Sequence, residues 1–352
     1  ESCFAVLNEK GRLCDSNSGF INRGGGVLVD TQSDLSHARR MAELFGSIWQ
    51  GVPKRVVNTN ESGDHVWGNQ VFSGAEIIAH RTVPDRMMQA ATPREFQALL
   101  GGFDGLLSRL MLKATRPGVL AIGRQLGQDY DFDGIEPTLP ATLFDERFVL
   151  DLEGLEVHMI HVGPCHRVGD TIVHVPAEGV VFAGDVVFRQ CTPMGWHGTS
   201  TKWLQALDLI LWLDPEVIVP GHGPLCGIEG AMELKAYLEY VREESRRCFA
   251  QGLNALEAAK RIGFGPYREW RSPARLFANV ESAYREFRNE LMHAPSDTAN
   301  SRAGGARTDQ PARLQQRRPR RVRGQCQARE KLSCRWRHHR LEHRQERRHA
   351  DR

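Results

Sequence analysis

Four times in this chain a short run of aliphatic, largely β-branched residues breaks off into a loop that sets glycine beside histidine or aspartate. Arg55-Val56-Val57 runs into Asn58-Thr59-Asn60-Glu61-Ser62-Gly63-Asp64-His65. The run at 155–162 leads into Gly163-Pro164-Cys165-His166-Arg167-Val168-Gly169-Asp170. Val180-Val181-Phe182 leads into Ala183-Gly184-Asp185, and Val217-Ile218-Val219 into Pro220-Gly221-His222-Gly223. Runs of this length and composition read as strands. Glycine lets the backbone turn sharply at a strand end, so that an imidazole or carboxylate can face a shared cleft. Strand ends are also rigid, which holds such groups to the tolerances a metal site requires.

The remaining pattern predicts how these strands are packed. Val27-Leu28-Val29 follows Gly24-Gly25-Gly26, which reads as a tight hairpin; no Gly-Lys-Ser/Thr follows to make it a phosphate cradle. Residues 34–45 place Leu35, Ala38, Met41, Ala42 and Phe45 on one helical face, with Asp34 as the cap. Strands are expected at 76–79, 148–152, 155–162, 171–175, 180–182 and 217–219, and helices at about 202–213, 229–250, 254–262 and 273–291. A leucine-rich helix at 94–116, broken at Gly101-Gly102, is either a lid over an apolar substrate or a packed helix. Strands then helices, twice over, suit an α+β fold: a four-layer αββα sandwich.

Charge divides the chain near residue 294. Residues 295–352 carry 16 Arg and one Lys against six acidic residues, a net +11, while the preceding residues are −8. The expected organisation is a domain at 1–294 and an Arg-rich disordered tail at 295–352, too poor in apolar residues to offset ordering entropy. Cys326 and Cys334 are too far apart for an ordinary zinc module. The tail is either a nucleic-acid appendage or an out-of-frame extension of a GC-rich gene. No stretch approaches the roughly 20 apolar residues of a membrane helix. The start has no basic and apolar leader, and the eight cysteines show no framework spacing. These features lead to the expectation of a cytoplasmic protein with reduced thiols.

The four loops in this order resemble the metallo-β-lactamase-fold hydrolase superfamily over about residues 15–290. There the first loop reads His-x-His-x-Asp-His, followed by a later His, a metal-bridging Asp and a final His. The resemblance assigns metal-ligand roles to Asp64, His65, His166, Asp185 and His222. Where the family has its first two histidines, this chain has Asn60 and Ser62. An amide carbonyl and a neutral hydroxyl are poor zinc ligands, so one ion is expected, at the second of the family's two positions. Zn2+ leads, with Fe or Mn as alternatives, and His166 is either an extra ligand or a donor to substrate.

The resemblance implies a metal-dependent hydrolase of a small-molecule ester, thioester, lactone or amide. It would use metal-bound hydroxide, with Asp64 as ligand and catalytic base. The alternative is a non-hydrolytic relative with a degenerate site, either cyclase- or dehydratase-like or a binding protein. Nucleic acid is disfavoured as a substrate by the negative body. Trp67, Trp196 and His197 are candidates for the substrate pocket. Glu61 is expected to face solvent. His37, His80, His158, His161 and His174 are read as structural, and Cys165 and Cys226 as buried thiols.

Overall fold

The computed structural model describes residues 2–8, 12, 15–89, 93, 129–195 and 197–293. The 94–116 segment, Trp196 and the 295–352 tail lie outside the described residues. Six strands form one sheet: β1 (Cys3–Val6), β2 (Ser18–Ile21), β3 (Val27–Val29), β4 (Arg55–Val57), β5 (Glu76–His80) and β6 (Thr142–Phe144), side by side in chain order. Five form a second sheet: β7 (Arg147–Leu152), β8 (Leu155–His161), β9 (Thr171–Val175), β10 (Val180–Phe188) and β11 (Val217–His222), also in chain order. The β3, β4, β5 and β6 neighbours run parallel, as do β10 and β11; the other neighbouring pairs are antiparallel.

Period-two alternation along the strands builds the layers. Ile21, Val27, Val29, Val57 and Ile78 face inward and meet Val157, Met159, Val173, Val175, Val180 and Phe182 of the second sheet. Their neighbours Phe20, Leu28, Val56 and Ile77 face outward onto Ala38, Met41 and Phe45 of α1 (Leu35–Phe45). On the second sheet Ile172, Val181 and Ile218 face outward onto α4 (Ser200–Leu213), α5 (Ile228–Ala250) and α7 (Leu276–Met292). The short α6 (Ala255–Ile262) packs against α5 and α7. The result is the expected αββα sandwich.

The Gly24–Gly26 turn joins antiparallel β2 and β3, with all three glycines at positive φ. Asp34 caps α1 by accepting from the His37 amide at 2.7 Å. Two differences from the sequence reading bear on the site. The strand expected to end at Phe182 continues to Phe188, because its apolar run resumes at Val186-Val187-Phe188 and shifts register against β11 twice on the way. Asp185 therefore sits inside β10. The 63–66 segment is a one-turn helix, α2 (Gly63–Val66), and α3 (Val83–Gln89) follows β5. Among the described residues, no helix is long and apolar enough to cross a membrane.

Candidate metal centre

The parallel strands deliver their C-terminal ends to one edge of the sandwich, and the loops singled out by sequence meet there. Asp64 and His65 lie on α2, just past β4. His166 lies in the loop joining β8 to β9, Asp185 in β10, and His222 at the end of β11. His65 is fully buried, Asp185, His166 and His222 nearly so, and the Asp64 side chain is 12% exposed. A Cβ at Gly221 would run into the Asp185 carboxylate, so glycine is what lets β11 bring His222 this close.

The two Asp185 oxygens face different ways. Oδ1 stands 3.3 Å from His65 Nε2 and 3.2 Å from His222 Nε2. Oδ2 stands 3.2 Å from His166 Nε2 and 3.4 Å from Asn60 Nδ2. Asp64 Oδ2 is 3.4 Å from His222 Nε2 and 3.9 Å from His65 Nε2. The ligand atoms of Asp64, His65 and His222 all lie within 4.8 Å of one another.

Each imidazole is oriented by its other nitrogen. His65 Nδ1 donates to Asp30 Oδ2 at 2.8 Å, His222 Nδ1 to the Asp15 carbonyl at 2.8 Å, and His166 Nδ1 to the Met194 carbonyl at 2.6 Å. These partners only accept, so Nδ1 carries a proton in each ring and Nε2 faces the centre. Such outer partners are what metal-binding histidines ordinarily have. Asp30 is itself held by the Thr59 amide and hydroxyl, at 2.8 and 2.7 Å. Asn17 clamps the His222 loop through the Pro220 and Gly223 carbonyls, at 2.9 and 2.8 Å. Phe188 stacks on the His222 ring at 5.0 Å and lies 5.6 Å from that of His166.

The electrostatics ask for positive charge at the centre. Burial alone would raise the Asp185 carboxyl, but His65, His166 and His222 hold it well below the usual range. Asp64 is likewise lowered by His65 and His222 against the effect of burial. Burial disfavours the charged imidazoles too. Asp185, Asp30 and Asp64 nevertheless carry His65 well above its ordinary value, and Asp185 and Asp64 carry His222 to about 10. His166 goes the other way, pushed down to about 3 by burial that Asp185 does not offset. His65 Nε2 and Asp185 Oδ1 are buried without an aligned hydrogen-bond partner, although they lie close together. Two orphaned polar atoms flanked by Asp64 and His222, with nitrogen and oxygen donors throughout, fit a divalent cation such as zinc.

The position matching the family's first two histidines is built differently. Asn60 Oδ1 accepts from the Ser62 amide at 2.7 Å, and Ser62 Oγ accepts from Arg167 Nε at 2.8 Å. The Arg167 guanidinium thus stands beside Ser62. Glu61 does not face solvent, contrary to the expectation. It is 4% exposed and accepts from the Val168 and Gly169 amides at 3.1 and 3.0 Å, tying the Asp64 loop to the His166 loop.

Of the pocket candidates, Trp67 packs edge-on against Phe132 at 5.2 Å and against Gly63 of α2, and His197 is exposed. His80 stacks on His161 at 3.6 Å, and His161 Nε2 donates to the Val168 carbonyl at 2.9 Å. Cys165 and Cys226 are buried thiols. Sequence reasoning missed Asp30, Phe188 and Arg167. For Asp30 the available signal was its place directly after β3, the same strand-end position that marked the others.

A sequence model of the metallo-beta-lactamase superfamily matches residues 11–222. The chain belongs to that superfamily. Superfamily members bind divalent metals, typically zinc, and are generally hydrolytic. The 2,4-dinitroanisole O-demethylase subunit alpha of Nocardioides sp. (strain JS1661) is 33% identical over 91 residues, 24% of this chain and 26% of that protein. The metallo-beta-lactamase type 2 of Bacteroides fragilis is 26% identical over 137 residues, 37% of this chain and 55% of that protein. The matches thus span about a quarter and about half of these relatives' lengths. Among solved structures, a metallo-beta-lactamase family protein from Thermus thermophilus superposes with a TM-score of 0.57 at 21% identity, covering 82% of this chain and 94% of that one. The sec-alkylsulfatase Pisa1 from Pseudomonas sp. superposes with a TM-score of 0.56 at 16% identity, covering 80% and 49%. At these identities the likeness is one of fold.

Proposed function

We propose that this superfamily member is a metal-dependent hydrolase of a small-molecule ester, thioester, lactone or amide, working with one divalent cation, zinc by preference. The observation that carries this reading is the set of Asp64, His65 and His222 ligand atoms within 4.8 Å of one another, with Asp185 Oδ1 close by and without an aligned hydrogen bond. Asp64, His65, Asp185 and His222 would hold the ion. When bound, such an ion acts as a Lewis acid and lowers the pKa of a water from 15.7 to about 7. His65 and His222 are oriented through Nδ1 so that, once deprotonated, Nε2 faces the ion. Asp64 is the most exposed of the four, so a substrate reaches its carboxylate first. The Asp64 carboxylate would orient a water, take its proton and return it to the leaving group. His166, on the other side of Asp185, keeps a neutral ring whose Nε2 lone pair would accept a hydrogen bond from a substrate O–H or N–H or serve as an extra ligand.

The test is a panel of chromogenic esters, thioesters, lactones and amides with zinc-loaded protein. Turnover should vanish with chelator and return with zinc. Asp64→Asn should lower kcat about 100-fold or more, while Asp185→Ala and His222→Ala should lose the ion by elemental analysis. Stoichiometric zinc without turnover of any panel member would replace this reading with the non-hydrolytic one.

A further inference from the structure

One of the two side chains that stand where the family's first two histidines would be is tied to a cation of the protein's own. Ser62 Oγ accepts from Arg167 Nε at 2.8 Å, and Asn60 turns its Nδ2 to Asp185 Oδ2 at 3.4 Å. The Arg167 backbone is fixed as well, its amide donating to Asp170 Oδ2 at 2.8 Å, and its neighbour His166 points Nε2 at Asp185 Oδ2 at 3.2 Å. Arg167 is half-buried, so its charge acts in a medium poorer in water than the surface. It has company on the same side. Arg285, on α7, donates to Ser282 Oγ at 3.1 Å, and Ser282 Oγ donates in turn to the Gly198 carbonyl at 3.1 Å, one residue from His197. Burial, then the positive field of Arg167 and lesser contributions from Arg86 and Arg285, hold the His197 imidazole below its ordinary value, against an opposing Glu61. The acidic metal cluster therefore has a basic flank.

We infer that Arg167 takes the charge role of the absent first cation and receives an anionic oxygen group of the substrate, a carboxylate, sulfate or phosphate, beside the bond that is cut. A guanidinium is the side chain suited to this task, being planar, permanently charged and able to hold two oxygens at once. Ser62 then has a purpose in holding Arg167 where a bound cation would otherwise sit. Ser62 accepts from a guanidinium that a cation bound at this position would repel. The substrate class of the proposed hydrolase narrows to esters, thioesters, lactones or amides that carry a negative charge near the scissile carbonyl. This inference rests on the proposed function for the reaction but not for the binding.

The experiment is calorimetric titration of the full-length chain, zinc-loaded and zinc-free, with 4-nitrobenzoate, inorganic sulfate and inorganic phosphate as probe anions and 4-nitrobenzamide as the neutral control. Comparison of the anions identifies which of the three the site favours. Arg167→Met should weaken binding of the favoured anion roughly 10- to 100-fold in both forms. It should leave the amide unchanged and zinc stoichiometry intact by elemental analysis. Arg167→Lys should recover part of the anion affinity. Ser62→Ala controls for a purely structural role: if Arg167 only pins its loop, Ser62→Ala and Arg167→Met will shift the melting midpoint alike and neither will change anion selectivity. Equal anion affinity in wild type and Arg167→Met overturns the inference. Arg167-dependent anion binding by a protein that holds no zinc upholds it and overturns the hydrolase reading instead.

Discussion

Asp30 shows how much of a metal site lies outside its ligands. It sits in the left-handed region at φ 61, where a non-glycine residue is strained, and it is buried. That conformation places one oxygen on the Thr59 amide and the other on His65 Nδ1. Asp30→Asn should weaken zinc binding about 10- to 100-fold, measured by competition with a chromophoric chelator; an unchanged affinity would show that His65 needs no such partner. Protons are the second check at this scale. His65 and His222 are raised, His222 to about 10, which favours the charged rings in the metal-free protein. Coordination needs neutral rings, so zinc binding at pH 7 should release protons and its affinity should climb with pH. Zinc calorimetry in two buffers of different ionisation enthalpy reads the release directly, and identical heats would contradict it. Asp64, His65, His166, Asp185 and His222 could be singled out in the sequence because each stands near a glycine where an apolar run breaks off, although Asp185 lies inside β10 and Asp64 and His65 lie on α2. Asp30 and Arg167 could not, because what makes them matter is a partner far away in the chain.

Single elements followed from local pattern wherever one face decided their position. The α1 helix is an example: its apolar spacing gives the face that meets the outer side of the first sheet, and Asp34 gives its start. Asp34→Ala should cost about 1–2 kcal/mol. Burial would raise the Asp34 carboxyl, but hydrogen bonds from the His37 ring and amide and from Ser36 bring it down to about 2. A depressed carboxyl contributes stability above its ordinary value of 3.8 and loses it as pH falls through the folded value. The thermal midpoints of wild type and Asp34→Ala should therefore draw together between about pH 4 and pH 2; a gap that stays constant over that range would assign the cap no charge component. The length of β10 was not legible. Ala183-Gly184-Asp185 looks like a terminus, yet the strand passes through it, with two register shifts that swing Asp185 into the centre.

At the scale of the whole molecule, the net charge of +3 combines a −8 body and a +11 stretch after residue 294. The residues proposed to hold the ion, Asp64 and Asp185 among them, all belong to the body. We expect a chain truncated after residue 294 to keep its melting midpoint and its zinc stoichiometry. A loss of either would show that the basic segment belongs to the functional unit. The sandwich itself was readable from the order of strands and helices, because alternating apolar residues can bury both faces of a sheet only if something covers each face.

The sequence by itself determined the fold class, the strand-end loops and the residue types able to bind a metal, since these follow from local propensity, period and donor chemistry. Tertiary structure alone decided which oxygen of Asp185 faces which imidazole, that Asp30 orients His65, that Glu61 is buried across two loops, and that a guanidinium stands beside Ser62. Those facts depend on distances between segments separated by tens to more than a hundred residues. Such distances are set by how two sheets pack, and no local pattern carries them.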